Sequence, residues 1–212
     1  MRRFLVATAT FALLLAAGHP ALADGVPSPS NSTIPAFIIL VGADVFGHPD
    51  PAGTFSVVFR DLANNPVPGV HIVVDFTGAN DLRLCGAQGA SVSIVAGGVM
   101  GVTDLNGTVT MTLLGHAIPN ASPSPPWAVK FWADGVLLGS VPGAAFDLDG
   151  VNGVSGADLS RWLGDFVSGV NMPRADYDGT GALGGNDLKL WLQVFTRGTS
   201  SQSCPTVVTA PN

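Results

Sequence analysis

The strongest constraint on this chain is an internal repeat near its C-terminal end. The segment from Asp147 to Phe166 recurs from Asp176 to Phe195, and every matched pair has the same separation along the chain. The matched pairs are Asp147 with Asp176, Asp149 with Asp178, Gly150 with Gly179, Asp158 with Asp187, Leu159 with Leu188, Trp162 with Trp191, Leu163 with Leu192 and Phe166 with Phe195. A register that is kept this well indicates one supersecondary unit present twice.

Each copy begins with a polar half that is typical of a calcium-binding loop. Aspartates occupy loop positions 1, 3 and 12, with mostly small residues between them. A 12-residue loop supplies Ca²⁺ with oxygen atoms from positions 1, 3, 5, 7, 9 and 12, and position 7 contributes its backbone carbonyl. The sequence therefore predicts two calcium ions as cofactors. The expected ligands are Asp147, Asp149, Gly153, Ser155 and Asp158 in the first loop, and Asp176, Asp178, Thr180, Ala182 and Asp187 in the second.

The two loops differ at positions 5 and 6. Position 5 is Val151 in the first loop, whose side chain offers no oxygen and leaves the place to water or a backbone carbonyl, and Thr180 in the second, which offers a hydroxyl. Position 6 favours glycine because the loop turns sharply there. Gly181 meets this requirement, whereas the first loop has Asn152. Ser155 at position 9 gives the first loop a hydroxyl oxygen, which partly compensates for the missing ligand at position 5. We nevertheless expect the second site to bind calcium more tightly.

The apolar half of each copy predicts a helix that starts at the end of the loop. Leu159, Trp162, Leu163 and Phe166 are spaced i, i+3, i+4, i+7, which places them on one face of a helix. The second copy repeats this spacing. Two loop–helix units are therefore expected.

This arrangement resembles the type I dockerin module of cellulosomal proteins, over about a quarter of the chain. The segments before the loops, Pro142–Ala145 and Met172–Ala175, are too short and proline-containing to form helices. A calcium loop with only its second helix, present twice, is the dockerin pattern. The resemblance implies packing with pseudo-two-fold symmetry and docking to a cohesin-like receptor, for which a polysaccharide-degrading assembly is one setting. The positions that dockerins use for recognition are here Gly156-Ala157 and Gly185-Asn186, which offer little hydrogen bonding.

The first residues predict a signal peptide over 1–23. A basic start at Met1–Arg3 precedes an apolar stretch, and Ala21–Ala23 forms an A-x-A cleavage site, so cleavage is expected between Ala23 and Asp24. We find no apolar stretch long enough to span a membrane. The sequence therefore predicts a secreted, extracellular protein with a Pro/Ser-rich leader over 24–32.

The charge balance argues against a nucleic-acid partner. Removing the signal peptide leaves seven basic residues against 15 acidic ones, and all 15 are aspartates. Nucleic-acid binding needs a basic footprint. Six of the 15 aspartates lie in the two loops, which instead favours cations as ligands.

Residues 33–141 alternate between apolar and polar residues with a period of two, which predicts strands with one buried face. About eight short strands separated by turns are typical of a β-sandwich. The candidate strands are Ile34–Val41, Phe55–Phe59, Val70–Phe76, Ser91–Val95, Val99–Thr103, Thr108–Leu113, Trp127–Trp132 and Val136–Val141. The segment Asn80–Cys85 is expected to be a loop between strands.

Two motifs in this region are similar to bacterial Ig-like domains of the invasin/intimin type. They are the segments Arg60–Val70 and Val102–Val109, in the order that the family shows. The resemblance covers roughly half the chain and implies an extracellular spacer or adhesive module. The predicted fold is therefore mostly β with a small α module: an Ig-like β-sandwich over 33–141, dockerin-like repeats over 147–196 and a flexible tail over 197–212.

Two cysteines, Cys85 and Cys204, are compatible with one disulfide in an oxidising compartment or with two free thiols. We expect the disulfide in the exported protein, where it would tie the tail onto the sandwich. Their spacing gives no support to a zinc site.

Sequence patterns for catalysis are missing. There is no nucleophile elbow, His-Glu-x-x-His motif or phosphate loop, and no glutamate. His48, His71 and His116 are best explained as surface histidines, so the chain is expected not to be an enzyme.

Two functions remain open at this point. The first is a non-catalytic exported protein that docks to a cohesin-like receptor in an extracellular assembly. The second is a surface or matrix Ig-like structural or adhesion protein with a calcium-stabilised C-terminal module and no cohesin partner.

Overall fold

A computed structural model describes residues 25–170 and 172–204. The predicted signal peptide and the tail beyond Cys204 lie outside the described residues. Within those ranges, no helix has both the length and the apolar character needed to cross a membrane.

The described chain is mostly β with a small α part at its C-terminal end, as predicted. Eleven strands precede two helices of 13 residues each. The strands are β1 (Ile38–Leu40), β2 (Thr54–Val58), β3 (His71–Asp75), β4 (Leu82–Leu84), β5 (Ser93–Val95), β6 (Gly98–Val102), β7 (Thr108–Thr112), β8 (Gly115–Ala117), β9 (Val129–Ala133), β10 (Val136–Val141) and β11 (Gly143–Ala145). The helices are α1 (Gly156–Ser168) and α2 (Gly185–Arg197), and short 3-10 turns lie at Pro51–Gly53 and Pro173–Ala175.

One layer of the β domain is an antiparallel sheet of five strands in the order β10-β9-β3-β6-β5. Its central strand, β3, shows the predicted alternation. Ile72 and Val74 are buried, whereas His71, the first residue of the strand, is exposed. The period of two in the sequence therefore arises because only one face of this sheet meets the core.

The opposite layer consists of three strand pairs: β2 with β7, β4 with β8, and β1 with β11. Along β2 and β7 the exposed hydroxyl groups pair across the strands, with Ser56 Oγ 2.8 Å from Thr110 Oγ1. The inward side chains fill the space between the layers. The ring of Phe55 meets the ring of Phe131 from the other sheet edge-on, with centroids 5.9 Å apart. The two layers thus share one core.

Three short strands, β4, β8 and β11, were not predicted. β4 lies in the segment Asn80–Cys85, which we expected to be a loop, and it pairs with β8. β11 occupies the short joint after β10 and pairs in parallel with β1. Each of these strands has three residues, too few to show an alternating pattern. In addition, β9 begins only at Val129, which leaves Trp127 outside the strand and exposed.

The described part of the Pro/Ser-rich leader lies against the turn that follows β2. Ser28 is buried and donates its backbone N–H to the Arg60 carbonyl at 3.2 Å. The Asn31 side chain donates to the Asp61 carbonyl at 2.8 Å. These bonds hold the leader on the β domain.

Cys85 and Cys204 form a disulfide, with their Cα atoms 5.4 Å apart. The bond fixes the beginning of the expected flexible tail. Gln202 also joins Ala43 through a pair of backbone hydrogen bonds of 2.9 Å each. Residues 198–204 are therefore part of the folded structure, because Gln202 bridges to Ala43 and Cys204 is covalently closed.

Loss of this disulfide is expected to lower the free energy of unfolding. The bond closes a loop between residues 119 positions apart, and native disulfides typically contribute about 2–4 kcal/mol by restricting the unfolded chain. Urea unfolding of the Cys85→Ser/Cys204→Ser variant should therefore show a lower midpoint than the oxidised protein. Equal midpoints, or two thiols that alkylate in unreduced wild-type protein, would contradict this expectation.

The α module is joined to the β domain without a linker. β11 runs directly into Phe146, whose ring lies against the ring of Tyr177, with centroids 4.5 Å apart. At the end of α2, Arg197 forms an ion pair of 2.9 Å with the buried carboxylate of Asp50. The loops of the repeats are thus positioned at the edge of the β domain.

Candidate metal centres

The structure brings together the three carboxylates of the first predicted loop. Asp147 follows β11, and Asp158 is the third residue of α1. With Asp149 they form a group in which one carboxylate oxygen of each lies within 4.8 Å of the others. This is the spacing that a shared cation requires of its ligands.

The geometry of the first loop depends on Asp158. Its Oδ1 accepts hydrogen bonds from the backbone N–H groups of Leu148, at 2.7 Å, and Asp149, at 3.0 Å. Its Oδ2 accepts one from the N–H of Ser155, at 2.7 Å. The same contact caps the start of α1, since Ser155 and Asp158 form a capping box. One carboxylate thereby closes the loop and begins the helix.

The second loop repeats this pattern atom for atom. Asp187 Oδ1 accepts from the N–H groups of Tyr177, at 2.7 Å, and Asp178, at 3.1 Å, and its Oδ2 accepts from Gly184 at 2.8 Å. Asp176, Asp178 and Asp187 again lie within 4.8 Å of one another through one oxygen each. The sequence repeat is therefore also a repeat in three dimensions.

Because these carboxylates are buried, keeping them ionised without a positively charged partner costs free energy. The four at loop positions 1 and 12 are buried: Asp147, Asp158, Asp176 and Asp187. Burial raises the pKa of Asp158 to about 6 and also raises the pKa of Asp147 and Asp176. Buried charges are normally paired or coordinate a metal. An arrangement of three carboxylates therefore favours a bound cation.

One carboxylate oxygen has no partner of its own. Asp147 Oδ2 is buried and accepts no hydrogen bond of ordinary length from any residue that the structure describes. Leaving a buried acceptor unsatisfied costs free energy. A cation held by this oxygen would remove that cost, so the residues present fit a metal ion.

The remaining predicted ligands lie around the two carboxylate groups. Ser155 Oγ is 2.9 Å from Asp158 Oδ2, and Thr180 Oγ1 donates to Asp178 Oδ1 at 2.7 Å. The Thr180 contact lowers the pKa of Asp178. Gly153 adopts a left-handed backbone with φ of 65°. The Ala182 carbonyl oxygen lies 3.3 Å from Thr180 Oγ1, next to the second group.

The two copies are joined through their tryptophans. The resemblance implied that the repeats pack together, but the hydrogen bonds of the two indole rings were not anticipated. Trp162 Nε1 donates to the carbonyl of Ala175, the residue before the second loop, at 3.2 Å. Trp191 Nε1 donates to the carbonyl of Phe146, the residue before the first loop, at 3.3 Å. The donors, Trp162 and Trp191, are separated by the offset of the repeat, and so are the acceptors, Phe146 and Ala175. The contacts are therefore reciprocal, and the common spacing was the signal for them.

The tail also reaches the first loop, which sequence patterns did not reveal. The Gly153 N–H donates to Ser203 Oγ at 2.8 Å, and the Val154 N–H donates to the carbonyl of Ser200 at 2.8 Å. Only the position of Cys204, next to Ser203, indicated that this segment could be held in place.

Comparisons with known proteins assign this chain to no family. No family model matches it. No curated protein matches it either. A search of solved structures found the adhesin InvE from Yersinia pseudotuberculosis, with 24% sequence identity and a TM-score of 0.26. The match covers 57% of this chain and 28% of the adhesin, so the chain spans under a third of the length of that protein.

Proposed function

We propose that the two loops bind two calcium ions, one each. The observation that carries this proposal is the pair of three-carboxylate groups, each with ligand oxygens within 4.8 Å of one another. They recur at the offset of the repeat, with the same backbone hydrogen bonds. An ordinary turn rich in aspartate and glycine would explain one such group. It would not explain two groups in which the equivalent carboxylate, Asp158 or Asp187, closes the loop and caps the helix.

The ligand chemistry favours calcium over zinc. All ligand atoms of both groups are carboxylate oxygens, whereas zinc is usually bound by sulfur and imidazole nitrogen. Calcium takes six to eight oxygens in a flexible arrangement, which a 12-residue loop with hydroxyl and carbonyl groups can supply.

We infer that the calcium-loaded module docks this exported, non-catalytic protein to a cohesin-like receptor in an extracellular assembly. Support comes from the dockerin-like repeat and from the outer faces of the helices. Apolar side chains remain partly exposed there, namely Leu163, Phe166, Leu192 and Phe195, with Val167 and, just after α1, Val170 more exposed still. Exposed apolar surface of this kind is typical of interaction sites.

A second candidate function is a surface or matrix Ig-like adhesion protein in which the module is a calcium-stabilised end without a receptor. The observation that favours it is the firm attachment of the module. The Asp50–Arg197 ion pair and the Cys85–Cys204 disulfide hold it on the β domain. A docking module on a separate linker would not need such contacts.

Capture experiments distinguish the two functions. The immobilised full-length protein is incubated with the native secretome in calcium and then washed with EDTA. The docking function predicts a partner that EDTA releases and that a Phe166→Asp/Phe195→Asp variant does not retain. Leu105→Asp, at an exposed turn of the β domain, is the control and should retain it. Calorimetry must show that the helix variant still binds calcium. No calcium-dependent capture would favour the structural function.

The second site is expected to bind calcium about tenfold more tightly than the first, or about 1.4 kcal/mol. Thr180 Oγ1 lies at the second carboxylate group, whereas the side chain of Val151 is exposed and has no oxygen. Asn152 must also adopt a positive φ of 61°, which costs less for glycine.

Calorimetric titration of two matched variants measures each site alone. Asp147→Ala retains the second site, and Asp176→Ala retains the first. Equal affinities in the two variants, or a tighter first site, would contradict the predicted order.

A further inference from the structure

The tail after α2 contacts both the first loop and the β domain. Ser200 is buried, and Gln202 pairs with Ala43. Two residues later, the disulfide from Cys204 to Cys85 ends the described part of the tail. Ser203 therefore lies between a backbone pairing and a covalent bond, and its position is fixed from both sides.

Ser203 and Ser200 form hydrogen bonds with the turn of the first loop. Their oxygens accept hydrogen bonds of 2.8 Å each from the N–H groups of Gly153 and Val154. The approach is close enough that a Cβ on Gly153 would lie 2.2 Å from the Ser200 carbonyl oxygen. The tail thus occupies the space beside position 7 of the loop, where a side chain would otherwise project.

The two loops orient their first aspartate differently. In the second loop, Asp176 accepts hydrogen bonds from the N–H groups of Gly181, at 2.7 Å, and Thr180, at 3.2 Å. In the first loop, Asp147 accepts one from Gly150 at 2.6 Å, and its Oδ2 has no partner of ordinary length among the described residues. The first loop therefore has fewer internal contacts to hold its buried first ligand.

Ser203 supports the first loop at one of its expected ligands. Its Oγ accepts the Gly153 N–H at 2.8 Å, and the backbone carbonyl of Gly153 is the ligand expected at position 7. Because Ser203 Oγ accepts from Gly153, its own hydrogen remains available to donate. In the first loop, the tail thus adds the Ser203 hydroxyl to the internal hydroxyl of Ser155.

We propose that Ser203 is a positioning residue of the first cation site, and that this site reaches its full affinity only while the Cys85–Cys204 disulfide holds the tail in place. This inference rests on the proposed function, since it assumes that the loops bind calcium. The second loop has no such dependence, because its first aspartate is held by its own backbone. By linkage, calcium in the first site should in turn oppose release of the tail.

The test is a calcium titration of the full-length oxidised protein and its Ser203→Ala variant, with the sites separated by the Asp176→Ala and Asp147→Ala backgrounds. Loss of a residue that orients a metal ligand typically weakens binding about 10- to 100-fold. We expect a loss in this range at the first site and an unchanged second site. Ser201→Ala, a neighbouring serine in the same tail, is the matched control and should leave both sites unchanged.

A second measurement does not depend on these variants. Wild-type protein titrated before and after reduction with dithiothreitol should lose affinity at the weaker site only. If Ser203→Ala leaves the first site unchanged, or weakens both sites equally, the inference is overturned while calcium binding itself stands. If wild-type protein binds no calcium at either site, it is the proposed function that fails.

Discussion

Chelation of calcium is expected to unfold both helices of the α module while the β domain remains folded. Each loop places two buried carboxylates and a third, partly buried one within 4.8 Å of each other, and without a cation these groups repel one another. The helices are 13 residues long, which is marginal for a helix without tertiary support. Where metal binding organises the site, its free energy is folding free energy. Most of both helices should therefore become disordered.

Two spectroscopic signals report this transition separately. Far-UV circular dichroism follows the helices, and tryptophan fluorescence follows the burial of Trp162 and Trp191, which are almost fully enclosed. Adding EDTA should reduce the helical signal and shift the emission to the red, and excess calcium should restore both. An Asp158→Ala/Asp187→Ala variant should show neither response. Equal helicity in EDTA and in calcium would contradict the role of calcium as a folding cofactor.

The local features of the site could be predicted from the sequence because they depend on residues close together in the chain. Asp147, Asp149 and Asp158 belong to one short loop, and a tight loop that enters a helix brings them together. The same spacing in the second copy gives the same result. Strands such as β3 could be predicted for a similar reason, since one buried face imposes a period of two on a single segment.

Features that depend on distant pairing could not be predicted. A strand was expected within Ile34–Val41, where β1 lies, but β11 has only three residues and pairs with β1 from the opposite end of the β domain, so this pairing left no pattern in the sequence. The contact of Ser203 with the first loop spans 50 residues and lies next to the disulfide of Cys204. The predicted apolar face of α1 is also only partly buried. Trp162 is enclosed, whereas Leu163 and Phe166 remain half-exposed. Only Asp158 and Trp162 of α1 are buried, so the helix contacts the rest of the protein along a narrow strip.

Replacement of Trp191 by alanine is expected to destabilise the module by about 3–5 kcal/mol, the usual cost of removing a buried tryptophan. The side chain is fully enclosed, and its ring stacks on Phe195 with centroids 5.1 Å apart. Its Nε1 also bonds to the carbonyl of Phe146, next to Asp147. The effect should therefore extend from α2 to the first loop. Urea unfolding in calcium measures the loss, and Trp127→Ala, at an exposed position, is the control.

Phenylalanine substitutions isolate the hydrogen bond from the packing. Trp191→Phe keeps a ring but leaves the Phe146 carbonyl without its donor, at a cost of about 1–3 kcal/mol for a buried acceptor. Because Phe146 precedes the first loop, calcium affinity should fall mainly at the first site, although the substitution lies in the second copy. Trp162→Phe frees the Ala175 carbonyl and should weaken mainly the second site. This crossed pattern follows only if each tryptophan supports the loop of the other copy. Losses confined to the copy that carries the substitution would show that the reciprocal bonds do not couple the two sites.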